Sequence, residues 1–405
     1  MTNLCMYFQV HQPFRLKKYR VFDIGANSDY FDDKKNAEIM NKVARKCYIP
    51  TNSIMLELLN KHPEFKIAYS ITGTALEQFE KYSPEVLESF QELVATGNVE
   101  LLSETYYHSL AFLHDKDEFR EQVDLHRKAI KRCFGVKPSV FRNTELVYNN
   151  ELAHMTEKMG YKAILAEGAD HVLGWRSPNY VYQPKTTRRM RLLLKNYKLS
   201  DDIAFRFSDK NWSGWPLTAE KFAKWIAPIQ GETINLFMDY ETFGEHQWAD
   251  TGIFNFLRHL PKAVKEQGIS FHTPSEISEA QPKEVLDVHN PVSWADVERD
   301  TSAWLGNKMQ NAAAERLYSL KREVMRSRDE ELVETWRKLT TSDHFYYMCT
   351  KWFADGDVHK YFNPYETPYD CFIAFMNILN DVVIRLRIDE RRITTNAPQN
   401  SWINV

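Results

Sequence analysis

The order of apolar and polar positions along the chain alternates between two kinds of segment. Short runs rich in β-branched and aromatic residues are separated by longer stretches in which apolar residues recur at helical spacing. The runs predict strands at 4–10, 66–72, 99–103, 139–144, 162–166, 191–197, 234–239 and 269–272. The longer stretches predict helices at 36–60, 84–96, 116–134, 150–159 and 218–226. Strands that alternate with helices in this way are typical of βαβ units and a parallel sheet.

The number of these units, seven or eight, is what a TIM-like (β/α) barrel requires. After Pro282 the pattern changes, because clear strands stop and amphipathic helices dominate from Asp300 to Asp389. One of these stretches, 371–388, is apolar at helical spacing and predicts a buried packing helix. We therefore predict an α/β protein with a catalytic barrel over 1–282 and a helical C-terminal region over 283–405 packed on it.

Composition and charge narrow the classes of protein. With 405 residues and 43% hydrophobic content, the chain can bury a full core. The formal net charge is −3 and the basic residues are scattered, which argues against a nucleic-acid partner. No stretch reaches the roughly 18 uncharged apolar residues of a membrane span, so no membrane partner is expected.

The first residues and the cysteines bear on location. The opening run MTNLCMYFQV has neither a basic leader nor a small-residue cleavage site, so it predicts a strand rather than a signal peptide. The five cysteines are odd in number, widely spaced and mostly embedded in apolar segments. This usage is typical of reduced core thiols, and we predict a cytoplasmic protein.

Polar residues capable of catalysis follow several of the predicted strands. In a barrel the carboxyl ends of the strands form the one face that carries active sites, so these residues should converge there. They are His11 after the first strand, Glu104 and His108 after the third, Arg142 and Glu145 at the fourth, and Asp239, Glu241, Glu245 and His246 at the seventh. Carboxylates, imidazoles and aromatic rings on one rim suit a sugar-binding site.

Cleavage of a glycosidic bond needs two carboxyl groups, and Glu145 and Asp239 are the best-placed pair. Arg142 would favour the ionised form of Glu145, whereas the apolar run before Asp239 would raise its pKa toward the role of an acid. Each has a simpler interpretation. Glu145 could favour the first turn of the following helix, and Asp239 could be an N-cap. The histidines could individually be core or surface residues.

Two other chemistries have weaker support in the sequence. Histidines and carboxylates that converge on a barrel rim could bind zinc or a similar ion, but no compact ligand motif such as H-E-x-x-H is present. A metal-dependent polysaccharide deacetylase-like hydrolase therefore remains a minor alternative. A serine hydrolase is weaker still, because the chain has no G-x-S-x-G elbow.

Aromatic residues near the candidate segments favour a carbohydrate ligand, because flat rings cover the apolar faces of sugars. Individually each is more often a core residue. They are Tyr106, Tyr107, Trp212, Trp215, Trp248, Trp294 and Trp304.

At these residues the sequence resembles glycoside hydrolase family 57, a family of α-amylases, 4-α-glucanotransferases and branching enzymes. The five short regions that carry the resemblance occur in order through most of the chain. They are HQP at 11–13, GNVELLSETYYH at 97–108, FRNTELVY at 141–148, MDYETFGEH at 238–246 and WADVERDTSAWLGN at 294–307. HQP alone is a weak signal, whereas five regions in order are a specific one.

The resemblance implies an incomplete, seven-stranded (β/α)7 TIM-like barrel and a retaining double displacement. Glu145 matches the family nucleophile and Asp239 the general acid/base, and the presence of both argues against an inactive relative. It also implies substrate contacts from His11, His108, Arg142, Glu241, His246, Asp300 and Trp304, and we add Trp248 as an aromatic residue next to the fourth region. A retaining mechanism predicts carboxyl groups about 5–5.5 Å apart.

We therefore predict an α-amylase-type hydrolase of α-1,4-glucan or maltooligosaccharides that needs no cofactor and no metal. The run SAWLGN and the segment 342–348 look most like the α-amylase-type members. A 4-α-glucanotransferase or branching enzyme on the same scaffold is the main alternative, since transfer to a sugar or to water depends on the acceptor site. A non-catalytic glycan-binding protein is less favoured, because both carboxylates are present.

Overall fold

A computed structural model of the chain describes residues 2–351 and 363–386. Apolar runs form ten strands in this part of the chain, and several of the runs are buried from end to end, as parallel strands covered on both faces require. Numbered in chain order, the strands are β1 Asn3–Val10, β2 Ile67–Ile71, β3 Val99–Leu101, β4 Val140–Arg142, β5 Ala163–Glu167, β6 Gln183–Pro184, β7 Arg191–Lys195, β8 Thr233–Asp239, β9 Ser270–Phe271 and β10 Val285–Leu286.

Seven of the strands form a parallel ring in the order β8, β1, β2, β3, β4, β5, β7. Hydrogen-bonded ladders join β8, β1, β2 and β3, and a second set of ladders joins β4, β5 and β7. A parallel bridge between Ser103 and Phe141 connects β3 to β4. Between β7 and β8, the Asn196 amide donates to Asn235 O at 2.9 Å and Asn235 Nδ2 donates to Leu194 O at 2.8 Å. The prediction of a seven-stranded (β/α) barrel is confirmed.

The interior of the ring is filled by side chains from alternate strand positions. Cys5, Tyr7, Ala68, Val140, Leu165 and Phe237 belong to one buried cluster, and Tyr7 and Phe237 meet edge to face with ring centroids 5.5 Å apart. Burying one large apolar side chain contributes roughly 1.5–3 kcal/mol. This packed core fixes the strand register and hence the positions of the residues that follow each strand.

Helices connect the strands, and several begin at side-chain caps such as Thr72, Asn149 and Thr218. The α-helices, in chain order, are α1 Asp33–Val43, α2 Ile49–Lys61, α3 Gly73–Tyr82, α4 Pro84–Ala95, α5 Ala111–His114, α6 Lys116–Phe134, α7 Asn150–Lys158, α8 Asp170–Leu173, α9 Tyr197–Ala204, α10 Ala219–Ile226, α11 Ile253–Glu266, α12 Pro274–Ile277, α13 Ser302–Leu305, α14 Lys308–Ser319, α15 Lys321–Ser327, α16 Glu330–Leu339, α17 Ser342–Tyr346 and α18 Pro368–Arg385.

The chain divides into two compact units. The first contains residues 1–12, 34–108 and 117–301 and holds the barrel. The second, over the described residues, contains 13–33, 109–116, 302–351 and 363–386 and is largely helical. Within the second unit, the Asp381 carboxylate accepts hydrogen bonds from the Gly25 amide and the Tyr30 hydroxyl, which ties the 13–33 segment to α18. Over the described residues, no helix is both long and apolar enough to cross a membrane.

Several element bounds differ from the sequence prediction. The predicted strand 139–144 ends at Arg142, because residues 144–146 form a 3-10 turn. The strand predicted at 269–272 is reduced to β9, which pairs only with the start of β1 and is not part of the ring. A π-helical segment at 44–48 lies between α1 and α2 within the predicted helix 36–60. Residues 387 and 388 of the predicted helix 371–388 lie outside the described residues.

Candidate active site

Glu145 lies just beyond β4 in an unusual backbone conformation. Its φ and ψ are 57° and 23°, and Leu146 also has a positive φ of 52°. A non-glycine residue pays about 1–3 kcal/mol for such a conformation, so the surrounding structure must hold it in place. The following helix, α7, is capped by Asn149, whose side chain accepts from the Leu152 amide. Glu145 therefore precedes the first turn of α7. The simpler interpretation, a carboxylate in the first turn of the following helix, does not describe it.

Two nitrogen groups contact the Glu145 carboxylate. Trp294 Nε1 donates to Glu145 Oε2 at 2.8 Å, and His108 Nε2 lies 3.3 Å from Glu145 Oε1. The side chain of Glu145 keeps 16% of its surface exposed. Hydrogen bonds to the charged form of a carboxyl group favour that form. The arrangement suits a carboxylate that is ionised and accessible to a substrate.

His108 connects Glu145 to a second, fully buried carboxylate, Glu104. Its Nδ1 lies 3.2 Å from Glu104 Oε2, and Gln9 Nε2 donates to Glu104 Oε1 at 3.2 Å. Burial opposes ionisation of Glu104, but the His108 hydrogen bond and the charges of His108 and Arg142 outweigh it and hold the pKa at about 2. Burial likewise opposes protonation of His108, yet its bonds to the two glutamates raise its pKa to about 9. At neutral pH His108 is a cation that contacts the Glu104 anion and the Glu145 carboxyl group.

His11 lies against His108, as the strand order predicts. The two rings stack with centroids 4.0 Å apart and an interplanar angle of 23°. His11 Nδ1 is 3.0 Å from the Thr72 hydroxyl at the end of β2. The structure thus brings His11 and His108 together at the ends of β1, β2 and β3.

Asp239 ends β8 beside the end of β1, where its register partner is Gln9. Burial raises the pKa of Asp239 to about 6, and the charge of Glu145 adds to this rise. Arg142, Lys195 and His108 act in the opposite direction. Asp239 precedes a 3-10 turn, but among the described residues its side chain makes no capping hydrogen bond. Its environment is that of a carboxyl group which holds a proton in mildly acidic solution.

Glu241 lies two residues beyond Asp239 and is buried. Its Oε1 accepts from the Tyr48 hydroxyl and from Gln12 Nε2, the latter at 3.3 Å. Burial, with the charge of Asp239, raises its pKa to about 8. A neutral Glu241 at pH 7 leaves Asp239 without an anionic neighbour on this side.

The glycine in the MDYETFGEH region has a steric reason. Gly244, at φ 106°, approaches Lys46 O so closely that a Cβ would lie 2.0 Å from it.

Arg142, the last residue of β4, has a fully buried guanidinium group. Its Nη1 lies 3.8 Å from Glu104 Oε2, and the group stacks over the Trp294 ring at 4.9 Å. None of its three side-chain nitrogens has a hydrogen-bond partner among the described residues. Buried donors in native proteins are nearly always satisfied, so Arg142 stays a candidate for contact with a further group.

The sequence interpretation missed a charged group at the ends of β5 and β7. Glu167 and Lys195 are register partners there, with Lys195 Nζ 3.7 Å from Glu167 Oε2 and 3.5 Å from Asp201 Oδ1. Arg299 Nη1 also lies 3.8 Å from Glu167 Oε2. Burial raises the pKa of Glu167 to about 7 despite these cations. Both residues follow apolar strands, so the same strand-end rule that selected Asp239 would have selected them.

The remaining predicted residues have contacts of their own. His246 is partly buried, and burial lowers its pKa to about 4. Trp248 is 52% exposed, with Lys46 Nζ 4.8 Å from its ring centroid. Asp300 accepts a hydrogen bond from the Ser293 hydroxyl through its backbone oxygen. Trp304 belongs to the second unit, where it is buried and its ring lies 5.9 Å from that of Tyr346. None of these contacts involves Glu145 or Asp239.

The histidines and carboxylates of the barrel do not form a recognisable metal centre. Over residues 2–351 and 363–386, no group of three histidine, cysteine, aspartate or glutamate side chains has an arrangement that would hold an ion. The buried carboxylates Glu104 and Glu241 are instead occupied by hydrogen bonds from neighbouring side chains.

Comparison with known proteins identifies the family of the chain. The family model described as glycosyl hydrolase family 57 matches residues 5–289. A Methanocaldococcus jannaschii protein named "Putative alpha-amylase" is 47% identical over 392 residues, which cover 92% of this chain and 82% of that protein.

Two solved structures share the fold. A branching enzyme of Thermococcus kodakaraensis superposes with a TM-score of 0.66 at 14% identity, covering 98% of this chain and 94% of that one. A 4-α-glucanotransferase of Thermococcus litoralis superposes with a TM-score of 0.64 at 16% identity, covering 85% of this chain and 56% of that one. The family match spans most of the chain and includes Glu145 and Asp239, and the chain therefore belongs to glycosyl hydrolase family 57.

Proposed function

We propose that the protein hydrolyses α-1,4-glucans or maltooligosaccharides with retention of anomeric configuration. The observation that carries this proposal is the opposite environment of two neighbouring carboxyl groups. Glu145 accepts an indole N–H and contacts a charged imidazole, whereas Asp239 is partly buried and has a pKa of about 6. Environments that favour one ionised and one protonated carboxyl group assign the nucleophile and the acid. The name of the M. jannaschii relative supports the choice of an α-glucan.

In the first step, Asp239 gives its proton to the glycosidic oxygen while Glu145 attacks the anomeric carbon. The bond from that carbon to the leaving oxygen breaks, and an ester bond from the carbon to Glu145 forms. His108 and Trp294 keep Glu145 ionised beforehand through their contacts with its two oxygens.

In the second step, the Asp239 carboxylate takes a proton from water, whose oxygen attacks the anomeric carbon. The ester bond breaks, Glu145 returns as a carboxylate and Asp239 regains its proton. Two inversions at one carbon give net retention.

Substrate contacts are proposed for the residues that surround this pair. Arg142 would donate to sugar hydroxyls from its unpaired nitrogens, and the stacked His11 and His108 would lie along one side of the sugar ring. Glu241 would act through Asp239 by limiting the negative charge near it. The roles of His246, Trp248, Asp300 and Trp304 in binding substrate stay predictions.

The test is incubation of the purified protein with maltoheptaose, with product lengths and anomeric form followed by NMR. Shorter products that first appear as the α-anomer support retaining hydrolysis. Products longer than maltoheptaose would assign the protein to glucan transfer instead. First-formed β-anomers would contradict retention, and an absence of turnover with α-1,4-glucans would refute the proposed substrate.

No cofactor takes part in the proposed chemistry. Activity should therefore survive dialysis against a chelator, and a loss that added metal restores would contradict the proposal.

We also propose a cytoplasmic location. Each of the five cysteines is free, and four of them are buried, as expected for reduced thiols. Fractionation of the source cells would test the location.

The pH dependence should follow the protonation of Asp239. Its acid role needs the proton, so kcat/KM should fall as pH rises through about 6. The charge of Lys195 lowers the pKa of Asp239, so Lys195→Met should raise that pKa and move the basic limb to higher pH. Arg299 still faces Glu167 in this variant. kcat/KM for maltoheptaose measured from pH 4 to 9 checks the shift.

The matched control is Lys198→Met, which removes a largely exposed lysine three residues away. Its basic limb should coincide with that of the wild type. A basic limb that stays in place or moves to lower pH in Lys195→Met would contradict the assignment of this limb to Asp239.

A further inference from the structure

Trp294 binds Glu145 at both the side chain and the backbone. Its indole Nε1 donates to Glu145 Oε2 at 2.8 Å, and its backbone amide donates to Glu145 O at 3.2 Å. The two residues are 149 positions apart in sequence. One tryptophan therefore restrains both ends of a residue whose backbone lies in the left-handed region.

Trp294 is itself held from several directions. Its ring faces the Arg142 guanidinium at 4.9 Å and Lys195 Nζ at 5.2 Å, and its backbone oxygen accepts from Arg299 Nη1. Cations over an indole face are attracted to its π electrons. Two residues earlier, Val292 pairs with Tyr148 through reciprocal 2.9 Å hydrogen bonds. The indole thus has little freedom to follow a Glu145 carboxylate that moved.

From this geometry we infer that Trp294 is a positioning residue for the nucleophile, whose indole N–H holds the Glu145 carboxylate in the ionised form and in one orientation. The inference rests on the proposed function, in which Glu145 attacks the anomeric carbon. The 2.8 Å bond from a neutral donor is shorter than the 3.3 Å contact with His108, so orientation depends chiefly on Trp294.

Other charged groups act on the same carboxylate and set the background for a pH test. His108, after β3, contacts it directly, and Asp239, at the end of β8, is close enough for their charges to interact. Arg142 of β4 and Lys195 of β7 lie on the Trp294 ring and act on Asp239 as well. A change confined to Trp294 leaves all four of these groups in place.

The variant that tests this inference is Trp294→Phe, which keeps an aromatic ring and removes the N–H donor. A hydrogen bond to a charged group corresponds to about a tenfold to hundredfold change in rate, so kcat for maltoheptaose should fall by that factor. KM should change by less than about threefold, because binding contacts remain. The acid limb of the pH profile should move to higher pH, since the ionised carboxylate has lost a donor.

Trp336→Phe is the matched control. Trp336 is also buried, and its Nε1 donates to Leu317 O at 2.8 Å in the second unit. The control should lose thermal stability while the pH profile stays that of the wild type. Unchanged kcat and an unchanged acid limb in Trp294→Phe, beside an active wild-type enzyme, would overturn the inference.

A spectroscopic measurement separates this inference from the proposed function. In protein labelled with ¹⁵N-tryptophan, the indole signal absent from Trp294→Phe belongs to Trp294. That signal should shift as Glu145 titrates, and the shift should vanish in Glu145→Gln. An indole signal that has the same position in the wild type and in Glu145→Gln would overturn the inference. A wild type inactive on α-glucans would refute the function alone, because the titration needs no substrate.

Discussion

Glu145→Gln is expected to lower kcat on maltoheptaose by on the order of 10⁴-fold or more, because an amide cannot form the glycosyl ester. Asp239→Asn should lower kcat by about 10²–10⁴-fold, the usual contribution of a general acid. Both substitutions nearly preserve side-chain volume, so the fold should persist. Initial rates of maltoheptaose cleavage and circular dichroism of each variant measure the two expectations.

A substrate with a good leaving group separates the two roles. Fluoride leaves from α-maltosyl fluoride without a proton from Asp239, so Asp239→Asn should still form the covalent intermediate and release it slowly. Intact-protein mass spectrometry should then find one added maltosyl group on Asp239→Asn and none on Glu145→Gln. The reverse pattern would exchange the two assignments.

Exposed carboxylates nearby in sequence supply controls for these variants. Glu151 lies in the first turn of α7, and Asp250 lies in the loop after β8. Glu151→Gln and Asp250→Asn should keep kcat within about twofold of the wild type, since surface substitutions remote from a site have small effects. A Glu145→Gln enzyme that retains a tenth of the wild-type rate would exclude Glu145 as the nucleophile.

The positions of several site residues can be predicted from the sequence, because the end of a buried parallel strand is visible as the end of an apolar run. An apolar run that stops at a charged residue predicts both a strand and a rim position, and Asp239 at the end of β8 is the clearest example. The stacked pair His11 and His108 was predicted at the same face by the same argument. Periodicity therefore predicted a parallel barrel and several of the residues at its strand ends, although it missed Glu167 and Lys195.

Contacts between distant parts of the chain could not be predicted in this way. The indole bond from Trp294 to Glu145 depends on a left-handed turn after β4, which no local pattern indicates in a non-glycine residue. Helix α3 was missed because it begins at Gly73, a poor helix former. There the Thr72 cap and a Tyr106 ring pressed against the glycine favour the helix, and only the folded chain supplies that ring.

Arg142→Met is expected to lower the free energy of unfolding by about 1–3 kcal/mol, less than for a buried carboxylate left wholly unpaired, because His108 still contacts Glu104 at 3.2 Å. Arg142 and Glu104 are both fully buried, with Arg142 Nη1 3.8 Å from Glu104 Oε2. Met fills a similar volume without a charge, so the decrease in the free energy of unfolding comes chiefly from the lost interaction with Glu104. Urea unfolding of the wild type and the variant at pH 7 measures it.

The pH dependence of this difference tests its electrostatic origin. The pKa of Glu104 is about 2 in the folded protein, below the roughly 4.3 of an unfolded glutamate, so its ionisation stabilises the fold above pH 4.3 and ceases to do so as pH falls toward 2. Without Arg142 the folded pKa rises, and the difference between wild type and variant should narrow over that range. A difference that stays constant from pH 7 to pH 2.5 would indicate lost packing instead.

A double variant tests whether the two residues act as a pair. Arg142→Met combined with Glu104→Gln should lose less stability at pH 7 than the sum of the two single losses, because the interaction between Arg142 and Glu104 can be removed only once. An amide oxygen in the position of Glu104 Oε2 can still accept from His108 and, at the 3.4 Å of the present contact, from Gln9. If the two losses instead simply add, the two residues do not act as a pair, and Arg142 stabilises the barrel through its contact with Trp294.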